Sequence, residues 1–106
     1  MTLRELCNKV GVSRRTIQRY EVFGLISPSG KTNRGYLLYD EVALNIAKRI
    51  KEYQAFGFTL NEIKKFDNIS HEERKTILQT KLDILKSNKE KLHETIKVLE
   101  KEIEQL

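Results

Sequence analysis

The sequence predicts a mainly α protein: a winged helix-turn-helix head with a small β-hairpin wing, followed by a long coiled-coil helix. Three observations predict it. Gly11 and Ser13 separate two short amphipathic segments at helix-turn-helix spacing. A stretch punctuated by Pro28, Gly30 and Gly35 then breaks the helical pattern and leads into β-prone Tyr36 to Tyr39. Beyond Ser70 the chain has no Gly or Pro and repeats leucine every seven residues. The expected domains are a head over 1–69 and a dimerisation helix over 70–106.

Taken in order, Thr2 and Glu5 form a capping box, in which each side chain bonds the other residue's orphan backbone N–H. The first helix runs to about Lys9, with Leu3, Leu6, Cys7 and Val10 in an i, i+3, i+4, i+7 row. Gly11 supplies the turn, because a residue without Cβ reaches φ > 0 cheaply. Ser13 caps the second helix and Gly24 stops it. With Ile17 on the buried side, Tyr20 and Glu21 fall towards the core, and Arg15, Gln18, Arg19 and Val22 fall opposite. Such a face suits a DNA major groove, where Arg pairs with guanine and Gln with adenine; the bland alternative is a solvated basic face. The wing places Lys31 and Arg34 near its tip, and Tyr36 is either a half-buried strand residue or a phosphate contact.

Asp40 caps the third helix, whose apolar stripe reads Val42, Ile46, Ala47, Ile50 and Tyr53, with Gly57 as its stop. Thr59 and Glu62 make a second capping box, opening a short fourth helix that buries Leu60, Ile63 and Phe66 and whose N-terminus could take a phosphate. Ser70 and Glu73 make a third, opening the last helix. Its seam comprises Leu78, Leu82, Leu85, Leu92, Ile96, Leu99, Ile103 and Leu106, with Lys89 as the one polar interruption. A helix of about 36 residues is roughly 54 Å long, more than its own head can cover, so a second chain is required. In a parallel, in-register pair Lys89 would meet its own copy, which disfavours that form.

Charge narrows the partners. The chain of 106 residues carries a formal +5. All of the excess lies in residues 1–57, which hold ten Lys/Arg against five Asp/Glu; residues 58–106 hold ten of each. An anionic partner is expected at the head, nucleic acid before membrane surface. The single cysteine, Cys7, forms no intrachain disulfide and belongs to the core row. No leader or membrane span is visible, so a soluble cytoplasmic protein is expected. His71 and His93 lack partners at ligand spacing, so no metal site and no cofactor are expected. No nucleophile–base set or phosphate-cradling loop points to an enzyme.

These residues, in this order, resemble the MerR family of bacterial transcription regulators. The resemblance covers about residues 2–67: the opening amphipathic helix, Gly11-Val-Ser…Thr16-Ile17, Tyr20-Glu21, Gly24-Leu25-Ile26 before Pro28, Gly35-Tyr36…Tyr39, and Gly57-Phe-Thr-Leu-Asn-Glu-Ile63. It implies a homodimer joined by an antiparallel coiled coil, with two heads in successive major grooves of an inverted repeat of double-stranded DNA in the nucleoid. It also implies distortion of a promoter spacer, with RNA polymerase as a further partner. The DNA-contacting set it implies is Arg14, Arg15, Thr16, Gln18, Arg19 and Tyr20 from the second helix and Lys31, Arg34 and Tyr36 from the wing. Two positions depart from the family pattern. Gln18-Arg19 replaces the usual Arg-Tyr, and Leu37 replaces the wing Arg, so the resemblance does not fix the site preference. Many relatives place ligand-sensing residues after the long helix, whereas this sequence ends within it. The chain either acts without a built-in effector domain or belongs to a longer one. A DNA-bending accessory protein of a mobile element or chromosome, without direct effect on polymerase, is the alternative. A coiled-coil adaptor binding an acidic protein or membrane would show no saturable duplex binding.

Overall fold

The computed structural model describes residues 1–106, which form two compact units, Met1–Asn68 and Ile69–Leu106. In chain order the elements are α1 (Leu3–Val10), α2 (Arg14–Val22), β1 (Gly30–Lys31), β2 (Leu37–Leu38), α3 (Glu41–Ala55), α4 (Leu60–Lys65), a 3₁₀ turn (Phe66–Asn68) and α5 (His71–Glu104).

Each helix begins at a side-chain cap. Thr2 Oγ1 accepts from Glu5 N at 3.2 Å while the Glu5 carboxylate accepts from Thr2 N at 3.3 Å, closing the first capping box. The bond from Thr2 N, and a second from the Thr2 hydroxyl to the same carboxylate oxygen at 3.1 Å, favour the ionised Glu5 and hold its pKa below the usual carboxylate value. Ser13 and Asp40 cap α2 and α3 through the N–H groups of Thr16 and Ala43. Thr59 and Glu62 close the second box. The expected third box forms only by half: Ser70 Oγ accepts from Glu73 N at 3.1 Å, with no return bond from the Glu73 carboxylate.

The core of the first unit gathers Leu6, Cys7 and Val10 of α1, Ile17 and Tyr20 of α2, and the inner face of α3, with Leu60, Ile63 and Phe66 buried from the fourth segment as expected. The α3 stripe differs from its sequence reading. Val42 is 63 % exposed, and the buried row is Ala43, Leu44, Ala47 and Ile50, with Ile46 and Tyr53 at its margins. A helix turns about 100° per residue, so with Ala43 turned to the core at 3 % exposure, Val42 is carried round to solvent. At the far end of α3, Tyr53 packs edge-on against Phe66 (centroids 5.5 Å apart), and Phe58 does the same at 5.3 Å.

The turn between α1 and α2 is fastened from outside. Gly11 takes φ 80°, and Lys51 of α3 donates to the carbonyls of Val10 (3.1 Å) and Gly11 (3.3 Å). A cation there satisfies acceptors that the helix end leaves open and opposes the negative end of the α1 dipole.

The wing pairs β1 and β2 antiparallel, Gly30 with Leu38 and Lys31 with Leu37. Its tip is closed by Thr32 N donating to Tyr36 O and Gly35 N donating to Thr32 O, with Gly35 at φ 86°. On its other flank Leu38 bridges Thr2, and Tyr39 N donates to Met1 O at 2.7 Å.

The second unit is α5, a helix of 34 residues with no buried side chain. The seam residues from Leu82 to Ile103, Lys89 aside, are 43–62 % exposed and Leu106 wholly so, while Leu78 is half-buried. No helix of the chain is long and apolar enough to cross a membrane.

Candidate nucleic-acid interface

The outer face of α2 is built by its register. Ile17 and Tyr20, at 0 % and 1 % exposure, anchor the inner side. Burying the Ile17 side chain alone is worth roughly 2–3 kcal/mol, which is enough to fix the helix about its axis. Arg14, Arg15, Gln18 and Arg19 are thereby turned to solvent, as the sequence pattern requires. Thr16 is half-buried, its backbone N–H held by Ser13 Oγ and its hydroxyl 2.9 Å from the same oxygen.

Tyr20 does not join this face. Its ring is buried and its hydroxyl donates to Gln54 Oε1 of α3 at 3.3 Å, so it belongs to the core rather than to the DNA-contacting set. Burial also raises its phenol pKa above the ordinary value. The register that buries Ile17 carries residue 20 with it, three positions on along the same stripe.

The one acid of α2 is withdrawn from the outer face. Glu21 is half-buried and accepts a hydrogen bond from the Tyr39 hydroxyl, at the end of β2. Burial first, and then the bond to this carboxylate, push the Tyr39 phenol well above its ordinary value. The outer surface of α2 is therefore cationic and amide-bearing, with no carboxylate of its own opposing an anionic ligand. The same bond ties the base of the wing to α2.

In the wing, Lys31 and Arg34 are exposed, and Tyr36 is 67 % exposed with its N–H held by Thr32 Oγ1 at 3.1 Å. The half-buried alternative for Tyr36 is thus excluded; its ring stands in solvent beyond the paired residues. The N-terminus of α4 loses its appeal as a phosphate site, because the Thr59–Glu62 box already occupies donors of its first turn.

Val22, 84 % exposed, lies on the α2 face with Gln18 and Arg19 as its sequence position requires, although the contact set that the resemblance implies omits it. Its place four residues after Gln18 was the available signal. Lys51 was missed altogether, and its spacing of 40 residues from Gly11 leaves no local signal.

On α5 the heptad places Leu82, Lys89, Ile96 and Ile103 at a, and Leu78, Leu85, Leu92 and Leu99 at d, with Leu106, past the end of the helix, continuing the d row. Flanking positions e are Gln79, Lys86, His93 and Glu100; flanking positions g are Lys81, Asn88, Thr95 and Glu102.

Residues 1–68 match a family model described as MerR HTH family regulatory protein. The chain is 31 % identical over 99 residues to the HTH-type transcriptional activator mta of Bacillus subtilis, covering 93 % of this chain and 38 % of that protein. It is 44 % identical over 61 residues to the mercuric resistance operon regulatory protein of Bacillus cereus, covering 58 % of this chain and 46 % of that one. The chain thus spans less than half the length of either relative. Among solved structures it resembles MtaN, the N-terminus of the Bacillus subtilis multidrug transporter activator, at a TM-score of 0.74 and 30 % identity over 97 % of each chain. A MerR-family regulator from Bacillus cereus shares the fold at a TM-score of 0.75 and 22 % identity, over 91 % of this chain and 74 % of that one.

Proposed function

The chain belongs to the MerR family of helix-turn-helix regulatory proteins, and from that premise we propose that it acts as a dimeric, sequence-specific DNA-binding transcription regulator. It would bind an inverted-repeat promoter site and distort the duplex between the half-sites, in the bacterial nucleoid, where polymerase then reads the altered spacer. The observation that carries this reading is the outer face of α2, where Arg14, Arg15, Gln18 and Arg19 stand exposed while Glu21 is drawn inward by Tyr39. Arg34, Lys31 and Tyr36 of the wing extend the set to the phosphate backbone. Positioning contacts to phosphates and base contacts in the groove are distinct roles, and α2 carries side chains for both.

Dimerisation is supported by the bare seam of α5, an apolar row that an isolated helix leaves in water. Charge supports the antiparallel form. A parallel pair would set Lys89 against the partner's Lys89 and Lys81 beside the partner's Lys86, stacking like charges along the rod.

The test is a mobility-shift titration of Arg15→Ala/Arg19→Ala on an inverted-repeat duplex recovered from a random pool, at two salt concentrations. For every phosphate that the variant no longer neutralises, the slope of log K against log[salt] becomes shallower by about 0.9. For every base edge it no longer reads, binding weakens by about 1–3 kcal/mol. Affinity unchanged at both salts overturns the reading. In vitro transcription on promoters of different spacer length then separates a regulator from an accessory DNA-bending protein, since only the former changes transcript yield.

A further inference from the structure

We propose that the two-fold axis of the dimer crosses α5 at residue 94, so that Lys86 and Lys89 of each chain converge on the partner's Glu100. This rests on the dimer reading above and fixes its register.

In an antiparallel pair each a residue sits opposite a d residue. Two registers use all four a positions of α5. One sets Leu82 opposite the partner's Leu106 and Lys89 opposite the partner's Leu99, with its centre at residue 94. The other slides by one heptad, sets Lys89 opposite the partner's Leu92, and centres between residues 90 and 91.

Two observations separate them. The first concerns the interrupting lysine. In the register centred at residue 94, Lys89 and Lys86 both lie level with the partner's Glu100, which gives the seam cation a carboxylate. In the other, both lie against the partner's His93, which offers no negative charge. Second, the charge pair particular to the other register would join Lys81 to the partner's Glu102. Lys81 is half-buried and already engaged within its own chain.

The register is read by pulsed electron–electron distance measurement on the full chain. Nitroxides go singly at Ser87→Cys, Glu94→Cys or Lys101→Cys in a Cys7→Ala background. These three sites are exposed and face away from the seam. With the axis at residue 94, labels at 87 and 101 share an axial separation of roughly 21 Å and the label at 94 has almost none. With the alternative centre, 87 and 94 match at roughly 10 Å and 101 lies at roughly 31 Å, which overturns the register. Equally short separations at all three sites mean a parallel pair and also overturn it. A chain that sediments as a monomer instead defeats the dimer reading itself. Charge exchange supplies a second arm that spares Cys7. Glu100→Lys is expected to weaken the dimer by roughly three- to tenfold, and adding Lys86→Glu to restore it, because each broken pair recurs across the axis. No restoration in the double variant, with the helix intact by circular dichroism, counts against the register.

Discussion

Tyr39 and Glu21 illustrate how one interaction bears on both stability and the charge of the α2 face. The phenol is 2 % exposed and its hydroxyl bonds a half-buried carboxylate, so removing it leaves that charge without its donor. Tyr39→Phe is expected to destabilise the head by about 1–3 kcal/mol at neutral pH in urea unfolding. The pH dependence has a definite sign. The folded phenol pKa lies above its ordinary value of 10.0. Its contribution is therefore complete below pH 10 and is lost as pH rises beyond that value, because the unfolded chain releases the proton first. The wild-type midpoint should fall through this alkaline range, and that of Tyr39→Phe should fall less. At the same scale Gly11 and Gly30 make a contrast. A Cβ on Gly11 would meet φ 80° and stand 3.0 Å from Lys51 Nζ, whereas one on Gly30 meets nothing within 4 Å. Gly11→Ala should cost about 1 kcal/mol or more and Gly30→Ala less than about 0.5 kcal/mol, as thermal or urea midpoints will show.

At the scale of elements, what was legible in the sequence was punctuation. Thr2, Ser13, Asp40, Thr59 and Ser70 stand where helices start, and Gly11, Gly24 and Gly57 stand just past where they stop, because capping chemistry is local and needs no knowledge of the fold. Thr59→Ala should lower stability by about 1 kcal/mol while leaving DNA affinity unchanged, measured by unfolding and by titration on the same duplex. Which face of a helix is buried was less legible. On α2 the large Ile17 and Tyr20 made the inner stripe plain, although Tyr20 was also given to the DNA set. On α3 the branched Val42 draws the stripe one position off the small Ala43, which is the residue that is buried. The bond from Lys51 to the α1–α2 turn and the bond from Tyr39 to Glu21 join distant segments, and such pairings become visible only when the chain is folded. The candidate DNA face was thus legible as a set of exposed cations, but not the removal of Glu21 that leaves those cations unopposed.

At the scale of the whole molecule, α5 makes a demand that the head does not. Its seam residues stand in water, and the proposed second copy would cover them. Leu92→Glu would place a carboxylate within that seam in each chain, and the variant should sediment as a monomer. Its affinity for an inverted repeat should fall by tenfold or more, roughly the drop expected when two linked binding events become separate ones. Its affinity for a single half-site should be unchanged. A variant that remained dimeric would show that the seam of α5 is not what joins the copies.

The base of the wing carries a further consequence. Leu38 is bonded to Gly30 on one side and bridged to Thr2 on the other. A finger of chain thrust out from a small head is the kind of segment that stray strands extend by edge-on addition, the usual seed of aggregates. Here the inner margin is already occupied by the molecule's own first residues, and the outer margin is two residues long and bears Lys31, a charge that repels its own kind. The hairpin proposed to meet phosphate is in this way kept from recruiting its neighbours.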